Sequence, residues 1–371
     1  MGSYRPYIFF GSIPLALSFI LLFWVPPFEG SLLFVFLIIV NIFHRTCFTI
    51  VSVPYSSLTA RISDDSEERT KLTTARMLGA SFGTLSISAL GFPIINWFGS
   101  GEESLGFVYL GICSGLAAIL ILAITVKTVK ERNFDIEFSK LPSFSEVSKS
   151  IVNNYAFLIV FASTLTLITT SIMFNKNLIY YTKYALGLHE FQGLILGVSS
   201  ASAFLAIPIW AYFALKIGKR NSWLISMSLL VFSFLFFYLY PIKNLIELLI
   251  VLIALGIGNG ATGVLFWSML PDTIEYGEWK TGIRTESSLY GFMTFAQKGG
   301  IAISALILGM LLTNIGFIPN TVQSEETLES LKSLMTFIPL AGVVLSFILV
   351  YFYPIDSTFH KKLIREINER S

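Results

Sequence analysis

The sequence predicts an all-α membrane protein built as two helical bundles joined by a charged linker, and three observations carry that prediction. Of its 371 residues, 54% are hydrophobic and 13% are charged, against about 25% charged in a soluble fold, and mean hydropathy is +0.73. Apolar stretches of roughly 20 residues, the length that crosses about 30 Å of hydrocarbon, recur along the whole chain. Cations gather in alternate breaks between those stretches, the asymmetry that orients membrane proteins.

In order, the expected spans are 7–25, 31–58, 72–98, 105–126, 151–182, 191–215, 222–241, 245–271, 286–313 and 333–353, ten in all. Breaks such as Pro26-Pro27-Phe28-Glu29-Gly30, Gly99-Ser100-Gly101 and Gly218-Lys219-Arg220 carry turn chemistry and read as short links between antiparallel helices. One side of the membrane holds Arg5, Arg61, Arg69, Lys71, the cations of 127–149, Lys216, Lys219, Arg220, Lys280, Arg284 and those from Lys361 onward. This assigns both termini to the cytoplasmic side of a plasma (inner) membrane. No basic start precedes a cleavable apolar segment, so no signal peptide is expected. Residues 127–150 are long and mixed in charge and read as a cytoplasmic linker, leaving a bundle of four helices at 1–126 and one of six, with a short tail, at 151–371. Transporters built from repeats want matching halves. The four-plus-six count therefore predicts two more helices ahead of Met1, without which the chain is expected to be unstable or inactive.

Formal net charge is +2, and no basic run interleaves with aromatics, so the composition excludes nucleic acid as a partner. Cys47 and Cys113 lie in apolar stretches, which excludes a disulfide framework. His44, His189 and His360 are too scattered in sequence to read as a metal-ligand set. A monomer without a resident metal or organic cofactor is expected.

Arg45, Arg76 and Lys298 fall inside spans, where each charge costs about 3 kcal/mol, roughly 9 kcal/mol together. Such a penalty predicts a hydrated cavity; snorkelling is the rival explanation for Arg76, near a span end. Lys298 lies too deep for that, about 18 Å along its helix from Glu286. Helical spacing puts Asn41, Arg45, Thr49, Ser52 and Ser56 on one stripe, and Glu286, Tyr290, Thr294 and Lys298 on another. Amides, hydroxyls and cations suit a polyhydroxylated substrate, although helix–helix hydrogen bonding explains Asn41 and Ser56 equally well. The glycines of 256–263 read as close helix packing or a hinge, since they lack the Lys-Ser/Thr ending of a phosphate loop. Thr164 to Thr170 with Asn175, Asn177, Tyr180 and Tyr181 read as packing or a cavity wall, with a helix break near Asn175.

Two charged segments echo each other. Ser57-Leu58-Thr59-Ala60-Arg61 leads through Asp64-Asp65-Ser66-Glu67-Glu68 to Arg69-Thr70-Lys71, and Leu270-Pro271-Asp272-Thr273 leads through Glu275-Tyr276-Gly277-Glu278 to Lys280 and Arg284-Thr285. Each reads as a cytoplasmic loop whose acids precede its bases. Salt bridges latching a gate explain that order better than a metal site left anionic.

At these segments, with Val53-Pro54-Tyr55-Ser56-Ser57-Leu58 before the first and Phe295-Ala296-Gln297-Lys298 after the second, the chain resembles the glycoside–pentoside–hexuronide:cation symporters, the melibiose-carrier group of the major facilitator superfamily. Gly2-Ser3-Tyr4-Arg5-Pro6-Tyr7 resembles the end of that family's loop between its second and third helices. The resemblance implies a two-bundle major-facilitator fold with ten of twelve helices present. It implies symport of a sugar, glycoside or hexuronide with a sodium ion or proton by alternating access. Arg76 and Lys298 then contact sugar, joined by Arg45, Ser52, Tyr55 and Thr294, while Thr49 stands near the cation. Ser52 and Ser56 depart from the carboxylate and Trp of the melibiose carriers, which detaches this chain from galactosides. The gate is expected to comprise Asp65, Glu68, Arg69, Asp272, Glu275, Glu278 and Arg284. Arg69 should pair with the carboxylates of 272–278, and Arg284 with those of 64–68.

Two other classes compete. The paired acids at 64–68 and at Asp272 and Glu275 could hold Mg²⁺ and a diphosphate in an intramembrane prenyl- or glycosyl-transferase, but each is followed at once by Arg or Lys. The other rival is a carrier of amphipathic lipids on the same fold. A receptor or assembly protein lacks any domain outside the bilayer to serve that role.

Overall fold

The computed structural model describes residues 2–63, 65–99, 102–131, 144–319 and 321–369, and among them the regular structure is helical with no strand. The elements are α1 (Arg5–Phe23), α2 (Gly30–Ile62), α3 (Ser66–Gly99), α4 (Glu103–Thr128), α5 (Phe144–Asn153), α6 (Tyr155–Tyr184), α7 (Gln192–Ile217), α8 (Lys219–Leu239), α9 (Leu245–Thr281), α10 (Glu286–Asn314), α11 (Glu325–Tyr351) and α12 (Ser357–Asn368). One turn of 3-10 helix, His189–Phe191, leads into α7. Among the described residues, nine helices are long and apolar enough to cross a membrane. The remaining expected span, 72–98, corresponds to α3, a 34-residue helix that opens on charge.

Three expectations change. Helix α9 does not end at 271 but continues to Thr281, so Asp272 to Glu278 are helical and not a loop. Helix α6 is continuous through Asn175, because 155–184 holds neither Pro nor Gly to interrupt its hydrogen-bond ladder. The end of the expected linker forms α5, a short helix with one apolar face; residues 132–143 of that linker, and Asp64, lie outside the described residues.

By contacts the chain divides into two compact units, Met1–Asp64 with Gly79–Leu141, and Asp65–Leu78 with Pro142–Ser371. The first turns of α3 thus belong with the second unit. In the first unit α1 packs on α2 and α4 around Ile8, Val51, Leu58 and Val126, with Tyr55 partly buried against that core. The backbone N–H groups of Ser3 and Arg5 donate to Glu131 at 2.6 and 2.9 Å.

In the second unit α9 packs on α7 and α8, α6 on α10 and α11, and α12 on α9. The expected close packing at 256–263 is present. A Cβ on Gly260 would lie 2.5 Å from the Ala203 carbonyl of α7, and one on Gly258 would lie 2.6 Å from the Leu230 side chain of α8. Only glycine permits that approach. Side-chain caps start several helices: Asn154 accepts from the Phe157 N–H at 2.9 Å for α6, Asn244 from Glu247 at 3.0 Å for α9, and Asp356 from Phe359 at 2.7 Å for α12. Gly282, at φ 71°, ends α9 in the left-handed conformation that its missing Cβ allows.

Candidate functional site

The second unit buries a cluster of charge where four elements meet. Asp272 and Glu275 are three residues apart on α9 and so share a face. Arg69, in the first turn of α3, is fully buried and pairs directly with Glu275 Oε1, with its other terminal nitrogen 3.6 Å from Asp272 Oδ1. Lys219, the first residue of α8, reaches Asp272 Oδ2 at 2.7 Å and also donates to the Ser268 carbonyl at 2.7 Å. From α12, His360 places Nε2 2.6 Å from Glu275 Oε2 and 3.7 Å from Asp272 Oδ1. Both oxygens of each carboxylate therefore face a cation or the imidazole. Two carboxylates meet the guanidinium of Arg69 and the amine of Lys219, the pairing that a low-dielectric interior demands.

Burial alone would lower the pKa of His360, but the charge of Asp272 and the hydrogen bond and charge of Glu275 outweigh it and raise the pKa above the ordinary histidine value. Tyr353, just ahead of α12, is buried, with a hydroxyl that finds no hydrogen-bond partner among the described residues. Burial, reinforced by the two carboxylates, raises its pKa well above normal. Asp272, Glu275 and His360 bring one ligand atom each within 4.8 Å of one another, a spacing that would suit a metal ion. Arg69 and Lys219 already neutralise those carboxylates, so the donor set fits internal ion pairing better than an added dication.

The other half of the expected gate is arranged differently. Arg284 pairs with Glu278 at 2.6 Å and with Glu286, both close to it in sequence. Neither of these partners is among the carboxylates of 64–68 expected for it. The physical reason is reach: the left-handed turn at Gly282 sets Arg284 between the last turn of α9 and the first of α10. Burial opposes its charge, but Glu286 and Glu278 raise its pKa further. Asp65 and Glu68 stand on exposed surface at the start of α3, where Asp65 Oδ1 accepts from the Glu67 N–H at 2.9 Å.

Of the expected substrate residues, Arg76 lies in the second unit with its guanidinium 4.1 Å above the ring of Trp267. Trp267 in turn stacks on Tyr290 of α10, with centroids 6.1 Å apart and planes 20° from parallel. Thr294 returns its hydroxyl to the Tyr290 carbonyl at 2.9 Å, and Lys298, two turns beyond Tyr290, is partly buried. In the first unit the α2 stripe is formed as spaced. Arg45 donates to Asn41 at 3.1 Å and Thr49 to the Arg45 carbonyl at 2.8 Å, with all three exposed. Ser52 is half-buried, and its hydroxyl has no hydrogen-bond partner among the described residues.

Lys219, His360 and Trp267 were not singled out by sequence. Lys219 and His360 lie in breaks assigned to the same membrane side as Asp272, and Trp267 precedes Leu270-Pro271-Asp272 by three residues. Those were the available signals. His360 also shows that a histidine isolated in sequence can join carboxylates in space.

Comparison with known proteins agrees with this architecture. The family described as MFS/sugar transport protein matches residues 1–357. The chain is 27% identical to a glucuronide carrier protein homolog of Escherichia coli K12, over all of this chain and 81% of that protein. It is equally 27% identical to an isoprimeverose transporter of Lactiplantibacillus pentosus, over all of this chain and 77% of that protein. Among solved structures, the fucose:proton symporter of E. coli superposes with a TM-score of 0.67 at 15% identity, covering 95% of this chain and 84% of that one. That likeness shows the fold.

Proposed function

Because the chain belongs to the MFS/sugar transport protein family, a multi-pass membrane fold of sugar transporters and not of enzymes, we propose that it moves a sugar, glycoside or hexuronide together with a sodium ion or proton by alternating access. Membership sets the transferase reading aside. The observation that carries the finer reading is Arg76 over Trp267. A pyranose offers a rim of hydroxyls, and a guanidinium held in place by an aromatic ring can bind that rim in bidentate fashion. Basic side chains within spans of the second unit, Arg76 and Lys298, are suited to a substrate that brings negative charge. Among the relatives, the names of the glucuronide carrier homolog and of a sulfoquinovose importer from E. coli point the same way. On this reading the charged cluster is the latch of one access state, its pairs made and broken as the transporter turns over, and its side of the membrane is the cytoplasm.

Uptake of labelled glucuronide and of a neutral pentoside-containing disaccharide into proteoliposomes, under an imposed sodium or proton gradient, tests this. Arg76→Ala should abolish accumulation of the charged sugar, and Arg76→Lys should recover part of it. Accumulation that ignores both gradients, or that survives Arg76→Ala unchanged, overturns the reading.

A further inference from the structure

The charged cluster contains one member that the rest of the gate does not require. Arg69 and Lys219 already balance Asp272 and Glu275. The fifth member arrives on α12, a twelve-residue helix beyond the last membrane-crossing helix. It docks through few groups. His360 and Leu363 are its buried residues, Phe359 meets the rings of Trp279 and Tyr276 edge-on or tilted at 5.7 and 6.5 Å, and Glu366 accepts from Trp279 Nε1 at 2.6 Å. Lys361, Lys362 and Arg365 are exposed or lie toward solvent. Beside Leu363, Phe359, Ile364 and Ile367 are half-buried, so apolar burial and the bond from His360 to Glu275 together hold α12 in place.

We propose that His360 is a positioning residue of the transport cycle, clamping α12 onto Glu275 and Asp272 and releasing that helix when its imidazole loses its proton. The groups that face the ring are Asp272 and Glu275 from α9, Arg69 from α3, Lys219 from α8 and the Tyr353 phenol from the segment ahead of α12. Among side chains of ordinary pKa, the imidazole is the one whose charge changes nearest neutral pH. With the ring charged, the bond to Glu275 is an ion pair and Asp272 adds attraction. With the ring neutral, an ordinary hydrogen bond remains and the cluster keeps its internal balance through Arg69 and Lys219. Its folded-state pKa is raised, so the clamp is complete below about pH 6.5, the ordinary value, and is lost as pH climbs through the raised one. The effect on transport rests on the proposed role of the cluster as a latch; the clamp itself does not.

Hydrogen exchange of segment 357–368 in the purified, full-length chain, corrected for intrinsic rates between pH 5.5 and 8.5, tests the clamp without transport. Exchange in the unmodified protein should rise by roughly tenfold across the titration, the scale of an ion pair reduced to a hydrogen bond between a neutral donor and the carboxylate. His360→Gln keeps an N–H donor but cannot titrate and should flatten that profile. His360→Ala should leave the helix loose at every pH. Exchange independent of pH in the unmodified protein, or an undiminished pH profile in His360→Gln, overturns the proposal. A pH-dependent clamp beside a sugar-exchange rate that ignores His360→Gln would leave the clamp standing and overturn the latch reading instead.

Discussion

Arg69 and Arg284 occur in matching local sequence, each ahead of a Thr and behind a run of acids, yet the fold gives them opposite tasks. Arg69 is fully buried and joins the start of α3 to the end of α9 through residues some two hundred positions away. Arg284 keeps 18% of its side chain exposed and closes on Glu278 and Glu286, its neighbours across one turn. The difference teaches that a charge motif states which bonds are chemically available, whereas the packing of elements selects among them. A short link such as 282–285 spends its cation on joining consecutive helices. A cation in the first turn of a long helix is free to join distant ones.

The comparison breaks first under single removal of charge. Arg69→Gln takes a buried cation from Glu275 and Asp272, and removing one member of a buried ion pair costs about 3–5 kcal/mol. Arg284→Gln removes two charge-assisted bonds at a partly exposed site, which should cost about 1–2 kcal/mol. Thermal unfolding in detergent should therefore separate the variants clearly, with Arg69→Gln the lower. Equal midpoints would show that burial does not distinguish the two sites.

Lys219→Met sharpens the same contrast at an intermediate scale. It removes the nearer cation from Asp272 while Arg69 remains at 3.6 Å, and it frees the Ser268 carbonyl. A loss of about 2 kcal/mol is expected. The Arg69→Gln, Lys219→Met double variant should lose clearly more or less than the sum, because the two cations share one carboxylate. Additive losses would mean that the cluster is a set of independent pairs.

Much of this architecture was legible in advance, for a physical reason. Span positions follow from apolar run length alone, so α1, α2, α4, α7 and α10 begin and end within a few residues of expectation. The end of α9 was not legible, because Asp272, Glu275 and Glu278 look like loop residues to any measure of hydropathy. All three are helical, and Asp272 and Glu275 are buried because Arg69, Lys219 and His360 neutralise them from other elements. In the site, the residue types of Arg69, Asp272 and Glu275 announced ionic pairing. That Arg284 stays local, and that Arg76 rests on Trp267, depends on which helix faces meet, information that a single helix's periodicity does not hold.

An effect no larger than that of Arg284→Gln comes from a residue outside both ion-pair sets. Asn154 caps α6 by accepting from Phe157 and donates its amide to the Thr273 carbonyl at 2.7 Å, between Asp272 and Glu275. It reaches so close because position 277 is glycine; a Cβ there would lie 2.6 Å from the Asn154 amide nitrogen. Asn154→Ala loses the cap and the cross-helix bond together, about 1–2 kcal/mol. It should also loosen α9 beneath both arginines, so that Arg69→Gln costs less when measured in that background. Gly277→Ala alone should destabilise by crowding the amide. In the Asn154→Ala background the same change should be neutral or stabilising, since the obstacle is gone and alanine favours the helix. If Gly277→Ala costs the same with or without Asn154, the contact does not hold α9 in place, and the helical continuation through Glu275 must rest on the ionic cluster alone.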